Sequence, residues 1–364
     1  MKNTFGSSVA VTLFGESHGE AVGAVIDGLA PGVPVDPAFI EKKLALRRPG
    51  GRYSTSRIEK DAFRLVSGVF EGHTTGAPLC ILIENTDTQS GDYSRTLPRP
   101  SHADYPAFVK YHGFEDYRGG GHFSGRLTAP LVAAGAIAQS ALLRLGIRVG
   151  THLKELAGIP DRPFGDLNAD IAALSEKPFA VLDENAGNAM KNAVEKAAKD
   201  GDSVGGVLET AVTGVPAGLG EPWFDTVEGL LAHALFAIPA VKGVSFGDGF
   251  ALARMTGSAA NDPLRTADGR VYTETNHAGG IGGGITNGMP LVFSTAVKPT
   301  PTIFKEQHTV DLAALANTTL TARGRHDPAV AVRARAAVDA LTALTLCDLL
   351  ALRFGTDHLR GEQA

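Results

Sequence analysis

Cysteine is nearly absent from this 364-residue chain: Cys80 and Cys347 are the only two, each in an apolar run. Two such residues exclude a disulfide framework, and the absence of any C-x-x-C spacing removes the common structural-metal patterns. They read as buried thiols of a reducing compartment, so a cytoplasmic location is expected. Excess positive charge is also missing. A net charge of −5 argues against nucleic acid or an anionic membrane as a general partner. The start of the chain, Met1 to Gly6, has no apolar core, so no secretory signal is expected. The long apolar stretches are interrupted by Gln139 and Ser140, or by Asp339 and Asp348, so none is expected to reach membrane-spanning length. No GxGxxG, GxxxxGK[ST] or HExxH occurs. Dinucleotide-fold dehydrogenases, P-loop NTPases and zincins therefore lose most of their support.

What is plentiful is glycine, with 44 residues in a chain that is otherwise globular in composition, 43% hydrophobic and 20% charged. With no linker, repeat or low-complexity tract, a single domain over residues 1–364 is expected. Strands are predicted at Val9–Phe14, Ala21–Ile26, Phe63–Phe70, Leu79–Glu84, Val204–Val215, Phe246–Arg254 and Leu291–Val297. Asp36 followed by Pro37 predicts a capped helix start. Further helices are predicted at Leu131–Leu145, Asp183–Lys199, Leu230–Phe236 and Ala329–Arg353. Strands and helices alternate without a strict βαβ rhythm, which predicts α+β rather than a doubly wound sheet.

The chemistry concentrates in irregular loops. Arg118 to Arg126 carries three consecutive glycines between arginines, and Thr128 and Pro130 then suit a helix start. Such a loop can cradle an anion, or be a surface turn with solvated arginines. His18 follows a strand between Ser17 and Gly19, His102 sits in a Pro/Arg loop, and His326 lies between Arg325 and Asp327. A histidine titrates near neutrality and can act as a general acid. Arg47, Arg48, Arg52, Arg57, Arg118, Arg126 and Arg325 all occupy turns or helix ends, and guanidinium groups match carboxylate and phosphate. The residues alone thus point to a small polyanionic ligand, acid catalysis and no metal.

At these positions the chain resembles the chorismate synthase family. The motifs stand at Gly15-Glu16-Ser17-His18-Gly19, Arg47 to Gly50, Arg57-x-Glu59-x-Asp61 and Arg99 to Asp104, with Ser101 where the family has glycine. They continue at Asp116 to Gly121, Gly279 to Gly288, Lys298-Pro299-Thr300 and Gly324 to Pro328, in the family's order. The resemblance implies an α+β sandwich with helices between antiparallel sheets, assembled as a homotetramer. It implies anti-1,4-elimination of phosphate from 5-enolpyruvylshikimate 3-phosphate to give chorismate, in the shikimate pathway, with reduced FMN required and no net redox change.

By the same resemblance His18 protonates the departing phosphate, His102 protonates the reduced flavin, and Ser17 and Asp327 form a proton relay. Arg48, Arg57 and Arg126 hold substrate anions. Arg47 and Arg52 match positions assigned to nicotinamide dinucleotide phosphate, so NADPH is an indirect reductant, and a separate flavin reductase is a candidate partner. FMN contacts fall on His122, Phe123, Ser124, Pro239, Ala240, Gly283, Lys298, Pro299, Thr300, Pro301, Thr302 and Arg325. The chain departs from the commonest family form at His122, Phe123, Gly125, Leu127 and Pro239. A non-catalytic flavin- or polyanion-binding protein on the same scaffold is the competing expectation, and the joint retention of Ser17, His18, His102 and Asp327 speaks against it.

Overall fold

A computed structural model describes residues 2–48, 60–86, 91, 93–322 and 326–361. Two five-stranded antiparallel sheets enclose a layer of helices, an α+β sandwich. The first sheet runs in the order Thr4–Phe5, Ala10–Gly15, Ala21–Asp27, Leu79–Glu84, Phe63–Ser67. Alternation along its strands sets its inner face: Val22, Ala24 and Ile26 pack inward, as do Leu79, Ile81 and Ile83. The second sheet runs in the order Val241–Phe246, Leu291–Val297, Gly206–Thr213, Arg148–Leu156, Ile159–Pro160.

Helices Pro37–Arg47, Thr128–Arg144, Val227–Leu235 and Ala331–Phe354 fill the space between. Thr128–Arg144 lies on the first sheet and Ala331–Phe354 on the second, and the two helices press against each other. Gly135 makes that approach close: a Cβ there would lie 2.2 Å from the Ala340 Cβ. Between two sheets a helix is apolar all round, which is why neither shows a clear polar face. Contrary to the expectation that no stretch reaches membrane-spanning length, the segment Arg118–Arg144 is long and apolar enough to cross a membrane by length and composition, but 83% of its apolar window is buried in this core.

The aspartates interrupting the C-terminal helix have structural partners. Asp348 accepts the backbone N–H groups of Ser7, Ser8 and Val9 at 3.0, 2.6 and 2.8 Å, tying the amino-terminal segment to the core. Asp339 accepts from Thr151 Oγ1 at 2.6 Å.

The predicted cap at Asp36 is present, its side chain accepting from Ala38 N. Four readings change. Phe63–Phe70 is broken after Ser67, where Gly68 takes φ +82°. The segment predicted as a strand from Phe246 ends there instead, because Gly247 and Gly249 both turn the chain at φ +54° and a short 3-10 helix follows. Thr128 does not cap its helix; its hydroxyl donates to Gly125 O at 2.6 Å, and Ser124 caps the preceding 3-10 turn. Arg148–Leu156, unpredicted, pairs with Gly206–Thr213 along its whole length.

Candidate active site

At one end of the helical layer the amino-terminal strand, the glycine loop and the segments around His102, Pro239, Lys298 and Asp327 enclose a cavity of about 760 Å³. That is within the roughly 300–1,000 Å³ of small-molecule sites. Among the described residues its wall carries six lysine and arginine side chains, Lys2, Arg47, Arg99, Arg126, Lys298 and Arg333, against Asp104 and Asp327. An apolar stretch completes it, with Phe5, Leu13, Leu127, Leu131, Phe236 and Ile238. An anion with a flat apolar body matches such a wall.

The glycine loop forms one side. Gly119, Gly120 and Gly121 take φ of +60°, +80° and +53°, a run that side chains rarely adopt. The absence of a Cβ at Gly119 is required by the neighbouring turn: an added one would lie 2.2 Å from His18 Cε1 and 2.8 Å from Ser17 Oγ. Ser17 N donates to Gly121 O at 3.0 Å, and Ser17 Oγ lies 3.3 Å from His18 Nδ1. Ser17 and His18 thus sit directly behind Gly119, which itself lines the cavity. The Tyr93 ring meets the His18 ring edge-on at 5.3 Å, and Arg99 stacks over Tyr93 at 5.2 Å.

His102 also lines the cavity. Its Nδ1 lies 3.0 Å from Pro100 O and its Nε2 2.7 Å from Thr302 Oγ1. Burial, and then the charge of Arg99, lower its pKa to about 4, so the free ring is neutral at pH 7. A carbonyl oxygen only accepts, so Nδ1 carries the proton and Nε2 accepts from the Thr302 hydroxyl. The loop is locked by a bidentate Arg99–Asp104 pair, with 2.8 Å from Nε and 2.9 Å from Nη2. Burial alone would raise the Asp104 pKa, but the hydrogen bonds and charge of Arg99 outweigh it and lower it. Ser101, where the family has glycine, takes φ +62°, and its carbonyl accepts from Lys298 Nζ at 2.7 Å.

At the basic end a fully buried carboxylate, Asp61, joins two arginines. Arg47 Nη1 donates to Asp61 Oδ2 at 2.7 Å, and Arg126 Nη1 donates to Asp61 Oδ1. Arg47 also bonds Thr128 Oγ1 at 2.9 Å, and Arg126 bonds Asn85 Oδ1 at 2.9 Å. Breaking a buried pair of this kind costs about 3–5 kcal/mol, so both guanidinium groups are held in place. Asp327 pairs with Arg333 Nη1, and Arg333 Nε donates to Arg47 O at 2.6 Å.

The structure therefore brings together His102, Asp327, Arg47, Arg126, His122, Phe123, Ser124, Pro239, Lys298, Thr300, Pro301 and Thr302 on one cavity. His122 is fixed through Nδ1, 2.8 Å from Gly15 O. Other expected residues lie apart from the wall. Arg48 turns to Glu41, with Nη1 2.5 Å from Oε1. Ala240 acts through its backbone, accepting from Lys298 N at 2.9 Å. Pro299 packs near Gly205, and Gly283 occupies the turn between Ile281–Gly282 and Ile285–Thr286. Arg52, Arg57 and Arg325 lie outside the described residues. Sequence reasoning gave no role to Asp61, Asn85, Tyr93, Arg99, His233 or Arg333. Asp61, Arg99 and Asp104 stood inside quoted motifs, which was the available signal; the others carried none.

The family model for chorismate synthase matches residues 9–351. The chain is 48% identical over 355 residues to a chorismate synthase of Aeropyrum pernix, covering 97% of this chain and 93% of that one. It is 49% identical over 350 residues to one of Thermococcus gammatolerans, covering 96% and 97%. It is 48% identical over 352 residues to one of Chitinophaga pinensis, covering 96% and 97%. A crystal structure of chorismate synthase superposes with a TM-score of 0.77 at 27% identity, over 97% of this chain and 94% of that one. The chain that builds this cavity belongs to the chorismate synthase family, and it is a lyase.

Proposed function

We propose that this chain converts 5-enolpyruvylshikimate 3-phosphate to chorismate and phosphate in the cavity described above. One C–H bond and one C–O bond break, and a second ring double bond forms. The observation that carries this reading is the wall itself, where a cationic majority meets an apolar face beside His102, His122, His233, His326 and Asp327. A substrate bearing one phosphate and two carboxylates needs such a cationic surplus.

The residues also fit a flavin mononucleotide. The buried Thr300 Oγ1 has no hydrogen-bond partner among the described residues, which is the state expected of a group reserved for a ligand. The apolar stretch from Phe5 to Ile238 suits a fused ring, Ser124 and Lys298 offer donors, and His122, whose Nδ1–H is turned to Gly15 O, offers Nε2 as an acceptor. Reduced FMN, when bound, supplies electron density that assists cleavage of the C–H and C–O bonds.

The side chains divide the remaining work. Arg126 and Arg47, held by Asp61, fix substrate anions in one orientation, and Lys298 and Arg99 add charge. His18 delivers a proton to the departing phosphate, offsetting the charge that develops on it. His102 is neutral in the free protein, and a nearby dianion would counter Arg99 and let the ring take up a proton. Asp327, steered by Arg333, and Ser17 carry the proton away from the cleaved C–H bond. Assembly as a homotetramer belongs to the proposal, and the almost fully exposed Phe114, Trp223, Phe224 and Phe250 are surface that further copies would cover.

Purified protein incubated anaerobically with substrate and chemically reduced FMN should release phosphate. A parallel arm with NADPH and oxidised FMN tells whether the chain reduces its own flavin or needs a separate reductase. No phosphate in the reduced-FMN arm refutes the reading.

A further inference from the structure

The geometry points to Asn85 as a positioning residue that holds the His18 turn in place and ties it to Arg126. Asn85 follows the last residue of strand Leu79–Glu84, so its backbone is anchored in the first sheet, and its N–H donates to Glu20 O at 3.0 Å. Its side-chain Nδ2 donates to Glu16 O and Gly19 O, both at 2.9 Å. Those two carbonyls bracket Ser17 and His18, and Gly19 N itself donates to Glu16 O at 3.1 Å. Oδ1 accepts from Arg126 Nε at 2.9 Å.

The amide has only one orientation that works. Carbonyl oxygens can only accept and a guanidinium can only donate, so Nδ2 must face the turn and Oδ1 must face Arg126. One uncharged side chain therefore satisfies three long-range bonds and has no flipped alternative. The turn is gripped from its other side by the glycine loop, through Ser17 N to Gly121 O and the bare Gly119. His18 is thus located by two supports, and Asn85 links its turn to the anion-holding Arg126. Its amide is committed to the turn and to Arg126, so Asn85 acts through His18 and Arg126 rather than on a ligand.

The kinetic part of the test rests on the elimination reading above; the spectroscopic part does not. Asn85→Ala removes all three bonds. Asn85→Asp keeps the acceptor for Arg126 but turns an acceptor-only carboxylate toward two carbonyls, so it separates the two partners. Both variants should lower kcat by on the order of 10²-fold, since misplacement by about 1 Å costs that much, while KM changes by no more than about twofold. On a His18→Ala background, Asn85→Ala should add less than about threefold. NMR titration of the His18 ring should give a shifted midpoint in Asn85→Asp, a readout that needs no turnover. Wild-type kcat and an unshifted ring in Asn85→Asp would overturn the proposal. So would a full multiplicative loss in the double variant, or a lowered Tm with unchanged kcat per folded molecule. If the ring shifts while the wild-type protein releases no phosphate, the positioning role stands and the elimination reading falls.

Discussion

Gly119 and Gly120 offer a matched pair of perturbations at the glycine loop. Both have left-handed backbone, at φ +60° and +80°, so alanine at either position carries a backbone strain of about 1–2 kcal/mol. Their surroundings differ. At Gly119 the new methyl would stand 2.2 Å from His18 Cε1 and 2.3 Å from Nδ1, whereas at Gly120 the nearest atom is Arg99 Nη2 at 3.8 Å. Carbon contacts settle near 3.5–4.0 Å, so Gly119→Ala must drive the His18 ring back by roughly 1 Å or more, and Gly120→Ala need not move it. Misplacing a reacting group by about that distance costs on the order of 10²-fold. The assay is anaerobic phosphate release with chemically reduced FMN, reading kcat and KM, together with thermal melts. Gly120→Ala should lose stability with kcat within about threefold. Gly119→Ala should lose similar stability and roughly 10²-fold in kcat. Equal kcat in the two variants would refute the argument that this loop spaces His18.

Three other outcomes follow from the packing and the charges. Gly135→Ala should destabilise by about 1–3 kcal/mol despite alanine's better helix propensity, because the added Cβ meets Ala340 Cβ at 2.2 Å; a Tm at or above wild type would contradict it. His152 is buried between Asp161 and Glu209, at 2.8 and 3.2 Å; burial opposes its charge, but the two carboxylates outweigh that and raise its pKa. Its contribution is therefore complete below the unfolded value near 6.5 and is lost as pH rises through the raised folded value. Tm should fall with rising pH on that limb, and His152→Gln should flatten the slope. His102 has the opposite sign. With its folded pKa lowered to about 4, its contribution is complete above 6.5 and is lost as pH falls toward 4. Binding of a phosphorylated anion should then take up a fraction of a proton near pH 6, seen as buffer-dependent calorimetric heats, and His102→Gln should remove that uptake.

Strands Ala21–Asp27 and Leu79–Glu84 of the first sheet were legible as apolar runs, the second alternating in burial, and helix Pro37–Arg47 because Asp36 and Pro37 mark its start. Arg148–Leu156 was not legible. It reads as polar, with His152, Lys154 and Glu155, yet His152 is satisfied from Asp161 and Glu209, partners that no local pattern reveals. The strand predicted from Phe246 failed because two glycines with positive φ turn the chain just after it. At the site, the histidine loops were visible as types of residue in unusual settings. Their supports were not, since Asp61 to Arg126, Asn85 to Glu16 and Arg333 to Arg47 O span 65, 69 and 286 residues of chain. Such contacts come from the sandwich closing, and spacing along the chain carries no trace of them.

The central claim is that this cavity eliminates phosphate with His18 as the proton donor. The most direct measurement is a single anaerobic time course with chemically reduced FMN, following phosphate, chorismate and the flavin spectrum together in wild type and His18→Ala. The account predicts phosphate and chorismate in equal amounts, flavin still reduced at the end, and a rate lower by about 10²–10⁴-fold in the variant. Phosphate without chorismate, net flavin oxidation matching turnover, or an unchanged His18→Ala rate would contradict it.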